Sequence, residues 1–356
     1  MNNELLFLRL LFTTGISLAR AKDLLQLISI EELFEAQPNL DLFGFKAGVD
    51  LNCPEIIDKA KSVQKRCQDL GISIICPNQN EYPSSLNHLH DPPLVLFAQG
   101  VIPDLSQSTA IVGTRRPSIN AFNFTQDFAK KLGQNGITVV SGLARGIDTA
   151  AHRGCLDAGG ETVAVIASGL DCIYPSENCS LAKRITLNGV VISEYAPGVK
   201  PLPFHFPIRN RIIAALASST LVAEAPVKSG ALITADLALE LGKEVMAFPS
   251  APLAKQSQGS LKLLKEGAHC ITEPHEINDI MGWESNANQQ PEARPEFSKD
   301  EQLILDALDS NDSRASVDVI LQKSGLGLGL ILGRLSDLEI KKAVIAEPGS
   351  IWRLGS

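Results

Sequence analysis

The sequence predicts an α/β protein with a Rossmann-like, doubly wound and mostly parallel sheet, a small N-terminal helical domain and a C-terminal winged-helix domain. Two observations in the middle of the chain carry this prediction. Short apolar, β-branched segments alternate with stretches of helical periodicity, as in parallel strands joined by crossover helices. These segments are apolar throughout rather than at every second residue, which indicates strands buried on both faces.

The predicted central domain spans residues 80–285. Helical patterns such as AFNFTQDFAKKLGQNG and SGALITADLALELGK separate its strands. The strands are predicted at residues 109–113, 137–142, 162–167, 190–194, 220–225, 244–249 and 269–272.

Smaller domains flank this centre. Residues 1–75 show helical apolar spacing interrupted at TTGIS, which predicts a helical domain of SAM or helix-hairpin-helix type. Such a domain either only packs or holds a DNA phosphate. The polar, proline-containing residues 286–298 predict a linker. Residues 299–356 predict three helices and a terminal β-hairpin, the winged-helix pattern.

The composition of the 356 residues favours a cytoplasmic protein without membrane contact. Seven cysteines without CxxC spacing disfavour disulfides and metal knuckles. No apolar stretch has transmembrane length, and the first residues lack a signal peptide's basic start. The net charge of −8 argues against a globally basic nucleic-acid binder. Residues 104–250 nevertheless hold 13 Lys/Arg and 12 Asp/Glu, whereas the remainder holds 19 and 28.

Few residues suggest catalysis or a cofactor. His88 and His90 have no further ligand at useful spacing, so no metal is predicted. The chain has neither GxGxxG after its first predicted strand nor a Walker loop, so no nucleotide cofactor is predicted. His152 is the best candidate acid or base, although packing against the sheet explains it better.

Four strand-to-helix loops carry cations where parallel sheets bind their ligands. Helix N-termini supply amide donors, glycines allow close approach, and arginines bind phosphate in a bidentate manner. Together they predict a site for several phosphates or one extended polyanion. The candidate residues are Arg115 and Arg116 in GTRRPS; Gly142, Arg145 and Gly146 in SGLARGID; Arg209 and Arg211 in FPIRNR; and Lys228, Ser229 and Gly230 in APVKSGAL.

Ion pairing within the chain is the alternative for some of these cations. Arg145 would then pair with Asp148, and Arg211 with Glu224. If Arg209 and Arg211 lie at a helix N-terminus, a bound anion would remove their repulsion from the helix dipole. Phe204 and Phe206 are candidates for stacking on bases.

The order of seven motifs resembles that of the DprA (Smf) DNA-processing family. They are AIVGTRRPS, VVSGLARGIDTAAH, GLDCIYPSEN, ISEYAPG, FPIRNRIIAALA, SGALITADLALE and LLKEGA. The resemblance implies a cytoplasmic, non-enzymatic protein that binds single-stranded DNA, protects incoming DNA during natural transformation and loads RecA onto it. In relatives the Gly-Thr/Ser-Arg loop, here Gly113, Thr114 and Arg115, binds DNA, and the SGLARG, FPIRNR and SGAL loops line the same pocket, which adds Ser141 and Asn210 to the candidates. The resemblance also implies a homodimer through GSLKLLKEGAHCI, with the dimer or RecA interface at Leu261, Leu264, Lys265 and Cys270.

The chain also departs from the family pattern. Ser176 and Glu177 follow the YP motif, where some relatives have a basic residue that contributes to DNA binding. The last predicted helix has almost no cations, which favours a protein contact or simple packing over DNA reading. Two rival functions are a nucleotide-cleaving phosphoribohydrolase, whose PGGxGT loop is missing here, and a purely structural protein–protein adaptor.

Overall fold

The computed structural model describes residues 3–13, 16–36, 50–284, 297–309, 314–341, 343–347 and 349–354. The predicted linker at 286–298 lies almost wholly outside these residues. The chain divides into two compact units, Met1–Asn286 and Ala287–Ser356.

Helices and strands in the described residues are numbered in chain order. The helices are α1 (Asn3–Phe12), α2 (Leu18–Leu27), α3 (Ile30–Ala36), α4 (Pro54–Leu70), α5 (Ile119–Gln134), α6 (Ile147–Asp157), α7 (Cys179–Ile185), α8 (His205–Leu216), α9 (Gly230–Glu240), α10 (Gln258–Lys265), α11 (Pro274–Met281), α12 (Lys299–Asp309), α13 (Val317–Ser324) and α14 (Leu328–Ile340). The strands are β1 (Ser73–Ile75), β2 (Leu96–Gly100), β3 (Ser108–Val112), β4 (Thr138–Ser141), β5 (Thr162–Ile166), β6 (Gly189–Ser193), β7 (Ser219–Val222), β8 (Glu244–Ala247), β9 (His269–Cys270), β10 (Arg314–Ser316), β11 (Val344–Glu347) and β12 (Ile351–Leu354).

The first unit contains a nine-stranded sheet in the order β1-β2-β6-β5-β4-β3-β7-β8-β9. In this sheet order, all neighbouring strands between β6 and β9 pair in parallel, namely β6-β5-β4-β3-β7-β8-β9. The pairs β1–β2 and β2–β6 are antiparallel. All seven predicted strands are present, and the predicted doubly wound fold is confirmed. Residues 73–75, assigned from sequence to the helical domain, instead form the edge strand β1.

Helices cover both faces of the central strands. In β4, Val139 packs with residues of α5 and α6 on one face, and Val140 packs with α8 and α9 on the other. Both side chains are buried, as the continuous apolar segments predicted. Gly154 lets α5 and α6 cross closely, because a Cβ there would lie 2.0 Å from the Gln126 carbonyl oxygen.

The N-terminal helices share a core with the sheet. Leu6 and Leu8 of α1 belong to the same buried cluster as Ala164 and Ile166 of β5. Leu143, in the loop after β4, also packs in this cluster. The helical part therefore packs within the first compact unit, and its core is continuous with the cluster that contains Leu143.

The second unit contains α12, α13 and α14 and a three-stranded antiparallel sheet in the order β10-β12-β11. Ile304, Ile320, Ile331 and Leu335 are among the residues of its core. The helices and the terminal hairpin follow the predicted order, with β10 as an addition.

Candidate nucleic-acid interface

A cavity of about 690 Å³ lies beyond the carboxyl ends of the central strands. The strand order reverses there between β3 and β7, which is where open α/β sheets bind ligands. Of the predicted site residues, the structure brings together 113–116, 209–210 and 228–230 around this cavity. Ser141, Gly142, Arg145, Gly146 and Arg211 do not line it.

The loop after β3 presents two exposed arginines on a fixed backbone. The Thr114 amide donates to the Glu224 carbonyl oxygen at 2.7 Å, and the Thr114 carbonyl oxygen accepts from the Ile147 amide at 3.3 Å. Gly113 is required here, because a Cβ would lie 2.5 Å from the Ile147 side chain. Arg115 and Arg116 extend into solvent from this anchored turn.

The loop after β4 is also held by hydrogen bonds. Asp148 accepts from the Gly142 amide at 3.1 Å and the Ala144 amide at 3.3 Å, so it does not pair with Arg145 as the sequence suggested. Leu143 has a φ of 57°, an uncommon conformation for a residue other than glycine. The hydroxyl of Ser141 donates to the Ile111 carbonyl oxygen inside the sheet, which gives this serine a structural position.

Arg145 forms a two-point ion pair with Glu177. Its Nε and Nη2 donate to the two carboxylate oxygens at 2.5 and 2.7 Å. Both side chains are about half exposed, at 54% and 53%. Arg145 and Arg115 both line a small recess beside the main cavity.

The helix α8 starts earlier than the sequence suggested. It begins at His205, so Arg209 and Arg211 lie in its second turn and not at its N-terminus. Pro207 fits the first turn because no intrahelical bond needs its missing N–H there. The repulsion expected from the helix dipole therefore does not explain these arginines.

Arg209 lies in the floor of the cavity and is 4% exposed. Its Nη1 donates to the Val165 carbonyl oxygen. Gly142 makes room for the guanidinium, which any Cβ at that position would contact. Burial lowers the pKa of Arg209 to about 10, whereas the nearby Asp148 charge favours the cation.

Arg211 is buried and paired away from the cavity. Its Nη2 donates to both carboxylate oxygens of Glu194 at 2.6 and 2.8 Å, and its Nε lies 3.2 Å from Asp91. The suggested partner Glu224 is wrong, because that carboxylate accepts from the amide and hydroxyl of Ser118 at 2.8 and 3.1 Å. Burial raises the pKa of Glu194, and the Arg211 charge opposes this shift.

The N-terminus of α9 forms the opposite side of the cavity. The Ser229 hydroxyl accepts from the Ala231 amide at 3.2 Å and caps the helix. Asn210 joins α8 to this turn by donating to the Gly230 carbonyl oxygen at 3.1 Å. Lys228 precedes the cap and is exposed.

We call Arg115, Arg116, Arg145 and Lys228 the cationic rim. Within the described part of the chain, Arg145 alone of these four pairs with a carboxylate. Three unpaired cations around one cavity form a region of positive potential that attracts anions.

Aromatic side chains adjoin the rim. The Arg115 guanidinium lies 4.8 Å from the centroid of the Phe206 ring. Tyr174, which the sequence analysis did not single out, packs edge-on against Phe206 with 5.8 Å between ring centroids and is 42% exposed. Phe204 is 59% exposed. Tyr174 and Phe206 line the cavity, so their rings offer surfaces on which nucleobases can stack, whereas Phe204 does not line it.

The other candidate sites have structural explanations. His152 is fully buried, its Nδ1 lies 2.8 Å from the Thr162 hydroxyl, and burial lowers its pKa to about 3. This position favours packing over acid–base chemistry. The described residues contain no cluster of three potential metal ligands. No helix among them is long and apolar enough to cross a membrane.

The predicted interface residues lie at one edge of the sheet. Leu261, Leu264 and Lys265 belong to α10, and Cys270 is exposed in the edge strand β9. Leu264 packs partly against the core beneath α10.

Fold and site together define a Rossmann-like protein with a cavity beyond the carboxyl ends of its strands that is bordered by unpaired cations. Residues 73–282 match the model of the DNA recombination-mediator protein A family, so the chain belongs to this family, which confirms the resemblance to DprA and Smf proteins.

DprA of Streptococcus pneumoniae is 43% identical over 197 residues, which cover 55% of this chain and 70% of that protein. Protein Smf of Synechocystis is 41% identical over 224 residues, covering 60% of this chain but only 55% of the relative. The X-ray structure of S. pneumoniae DprA matches with a TM-score of 0.58 and 34% identity, covering 70% of this chain and 91% of that one. A Helicobacter pylori DprA structure, described for its single-stranded DNA binding mode, matches with a TM-score of 0.55 and 30% identity, covering 60% and 97%.

Proposed function

We propose that this protein binds single-stranded DNA at the cationic rim and loads RecA onto incoming strands during natural transformation. It acts in the cytoplasm as a homodimer and protects the strand. The observation that carries the DNA-binding role is the set of three unpaired cations, Arg115, Arg116 and Lys228, around one cavity. Family membership and the single-stranded DNA binding of the H. pylori relative support it.

The predicted site residues have different roles in this proposal. Arg115, Arg116 and Lys228 contact phosphates, aided by backbone amides near Gly113, Thr114, Ser229 and Gly230. The buried Arg209 and Asn210 position these loops, as do Ser141, Gly142 and Gly146, whereas Arg211 is paired away from the cavity. Phosphate contacts carry no sequence information, so the site tolerates different base sequences.

Fluorescence anisotropy with a short oligothymidylate, measured across a salt series, tests the DNA contact. Arg115→Ala should weaken binding and reduce the slope of log K against log salt by about 0.7, the value for one single-strand phosphate contact. Arg184→Ala, which removes an exposed arginine paired with Asp157, is the matched control. No binding by the wild type, or an unchanged slope in Arg115→Ala, would contradict the proposal.

The RecA role rests on family membership and is tested separately. RecA should assemble faster on an oligonucleotide already bound by this protein than on one covered by a general single-strand binding protein. The proposed dimer or RecA interface is the sheet edge formed by Leu261, Leu264, Lys265 and Cys270. Equal assembly rates would contradict the loading role and leave the DNA-binding role standing.

A further inference from the structure

Glu177 occupies the side of Arg145 that a phosphate would use. The guanidinium meets the carboxylate through two parallel N–H donors, the geometry in which arginine also recognises phosphate. The other rim cations lack such a partner within the described chain. Hydrogen bonding and charge from Arg145 lower the pKa of Glu177, so this carboxylate stays ionised at neutral pH.

Hydrogen bonds of the neighbouring residue fix the position of Glu177 beside Arg145. Glu177 lies in a single 3₁₀ turn, Ser176–Asn178. Its neighbour Asn178 is buried and donates from Nδ2 to the Leu143 carbonyl oxygen at 2.8 Å and to the Thr149 hydroxyl at 3.0 Å. These bonds tie the turn to the loop that carries Arg145.

The two residues before this turn also lie beside Arg145. Tyr174 and Pro175 line the recess together with Arg115 and Arg145. Tyr174 also contacts Phe206, whose ring lies under Arg115. A strand that follows the rim from Arg115 toward Arg145 therefore meets the carboxylate of Glu177.

We propose that Glu177 sets the affinity for single-stranded DNA by competing with a DNA phosphate for Arg145. This inference rests on the proposed DNA-binding function. An exposed ion pair is weak, so a phosphate can replace the carboxylate. The displaced carboxylate then remains close to the strand and repels it. In the wild-type protein, DNA phosphates therefore bind fully to Arg115, Arg116 and Lys228 but only partly to Arg145.

The test is the oligothymidylate titration across a salt series with Glu177→Gln, which removes the charge and keeps the shape. Affinity at low salt should rise severalfold, and the slope of log K against log salt should steepen by about 0.7 because one more phosphate contact is gained. The melting temperature should change little, because Glu177 is exposed.

Two controls separate a local contact from a general change in charge. Asp157→Asn adds the same net charge at the other end of α6 and breaks the comparable Asp157–Arg184 pair of 2.9 Å. It should not change the slope. In an Arg145→Ala background, Glu177→Gln should have little effect on affinity or salt slope, because the cation for which Glu177 and a phosphate compete is absent.

The outcomes distinguish this inference from the proposed function. If the wild type binds but Glu177→Gln leaves the slope unchanged, or if its gain persists without Arg145, the inference is wrong and the function stands. If only Glu177→Gln binds, the wild-type protein lacks the proposed function, and the inference that rests on this function is wrong as well. If neither protein binds, both are wrong.

Discussion

Arg115 and Arg211 carry the same charge but lie in different surroundings. Arg115 is exposed on a turn, beside an aromatic ring and without a carboxylate partner in the described chain. Arg211 is 6% exposed and bonded to the Glu194 carboxylate, whose side chain is 9% exposed. Exposed, unpaired arginines are available to a ligand, whereas buried pairs hold elements of the protein together.

Arg211→Ala should therefore destabilise the protein without changing its contacts to DNA phosphates. Removing one partner of a buried pair leaves Glu194 without its main counter-charge, which typically costs about 3–5 kcal/mol. Urea unfolding measures this loss, and the oligothymidylate salt slope should equal that of the wild type.

Arg184→Ala serves as the control for Arg211→Ala, because exposed ion pairs contribute roughly 0–1 kcal/mol. A variant at position 211 with intact stability and a slope reduced by about 0.7 would instead place Arg211 on the DNA.

At the scale of elements, the continuous apolar segments predicted all seven parallel strands. Two antiparallel strands of the nine-stranded sheet were missed. β1 is only three residues long, and neither β1 nor β2 has a crossover helix to mark it. The start of α8 was misplaced because Pro207 was not recognised as part of the first turn. Loop glycines and cations predicted most of the loop residues that the structure brings together around the cavity. The partners of Arg145 and Arg211 depend on side-chain directions that spacing does not reveal.

The start of α12 gives a pH-dependent prediction for the second unit. Glu301 Oε2 accepts from the Ser298 amide at 2.6 Å, and the Ser298 hydroxyl accepts from the Glu301 amide at 3.3 Å, which forms a capping box. Glu301 Oε1 also accepts from Lys341 Nζ at 2.7 Å. These bonds lower the pKa of Glu301 from 4.5 to about 2, and the bond from Lys341 makes the largest contribution.

Ionisation of Glu301 should stabilise the folded state above pH 4.5, and this contribution should disappear as the pH falls toward 2. Calorimetry of the full chain should show that Glu301→Gln lowers the unfolding temperature at pH 7 and has a smaller effect at pH 2.5. Asp306→Asn, an exposed change on the same helix, is the control. Equal effects of Glu301→Gln at both pH values would rule out this titration.

For the whole molecule, assembly is the main prediction. The sheet ends at β9, a two-residue edge strand beside α10. In the proposed homodimer this edge is covered by a second copy. Leu264→Arg should shift the protein toward monomers, because a charge buried without a partner costs several kcal/mol.

Light scattering reports the mass directly. Leu187→Arg makes the same chemical change at a side chain that is 81% exposed, in the turn before β6, and should leave the mass unchanged. The proposed interface at this edge would be wrong if the wild-type protein had the mass of a monomer. It would also be wrong if Leu264→Arg kept the mass of a dimer.

Leu143 shares one buried cluster with residues of the N-terminal helices. Its left-handed backbone persists only while surrounding contacts hold it in place. Leu143 lies two residues before Arg145, so the conformation that positions this rim cation depends on the packing of the cluster. A chain shortened by α1 would lose Leu6 and Leu8 from the cluster. It should keep every rim residue and carry Arg145 on a less stable loop.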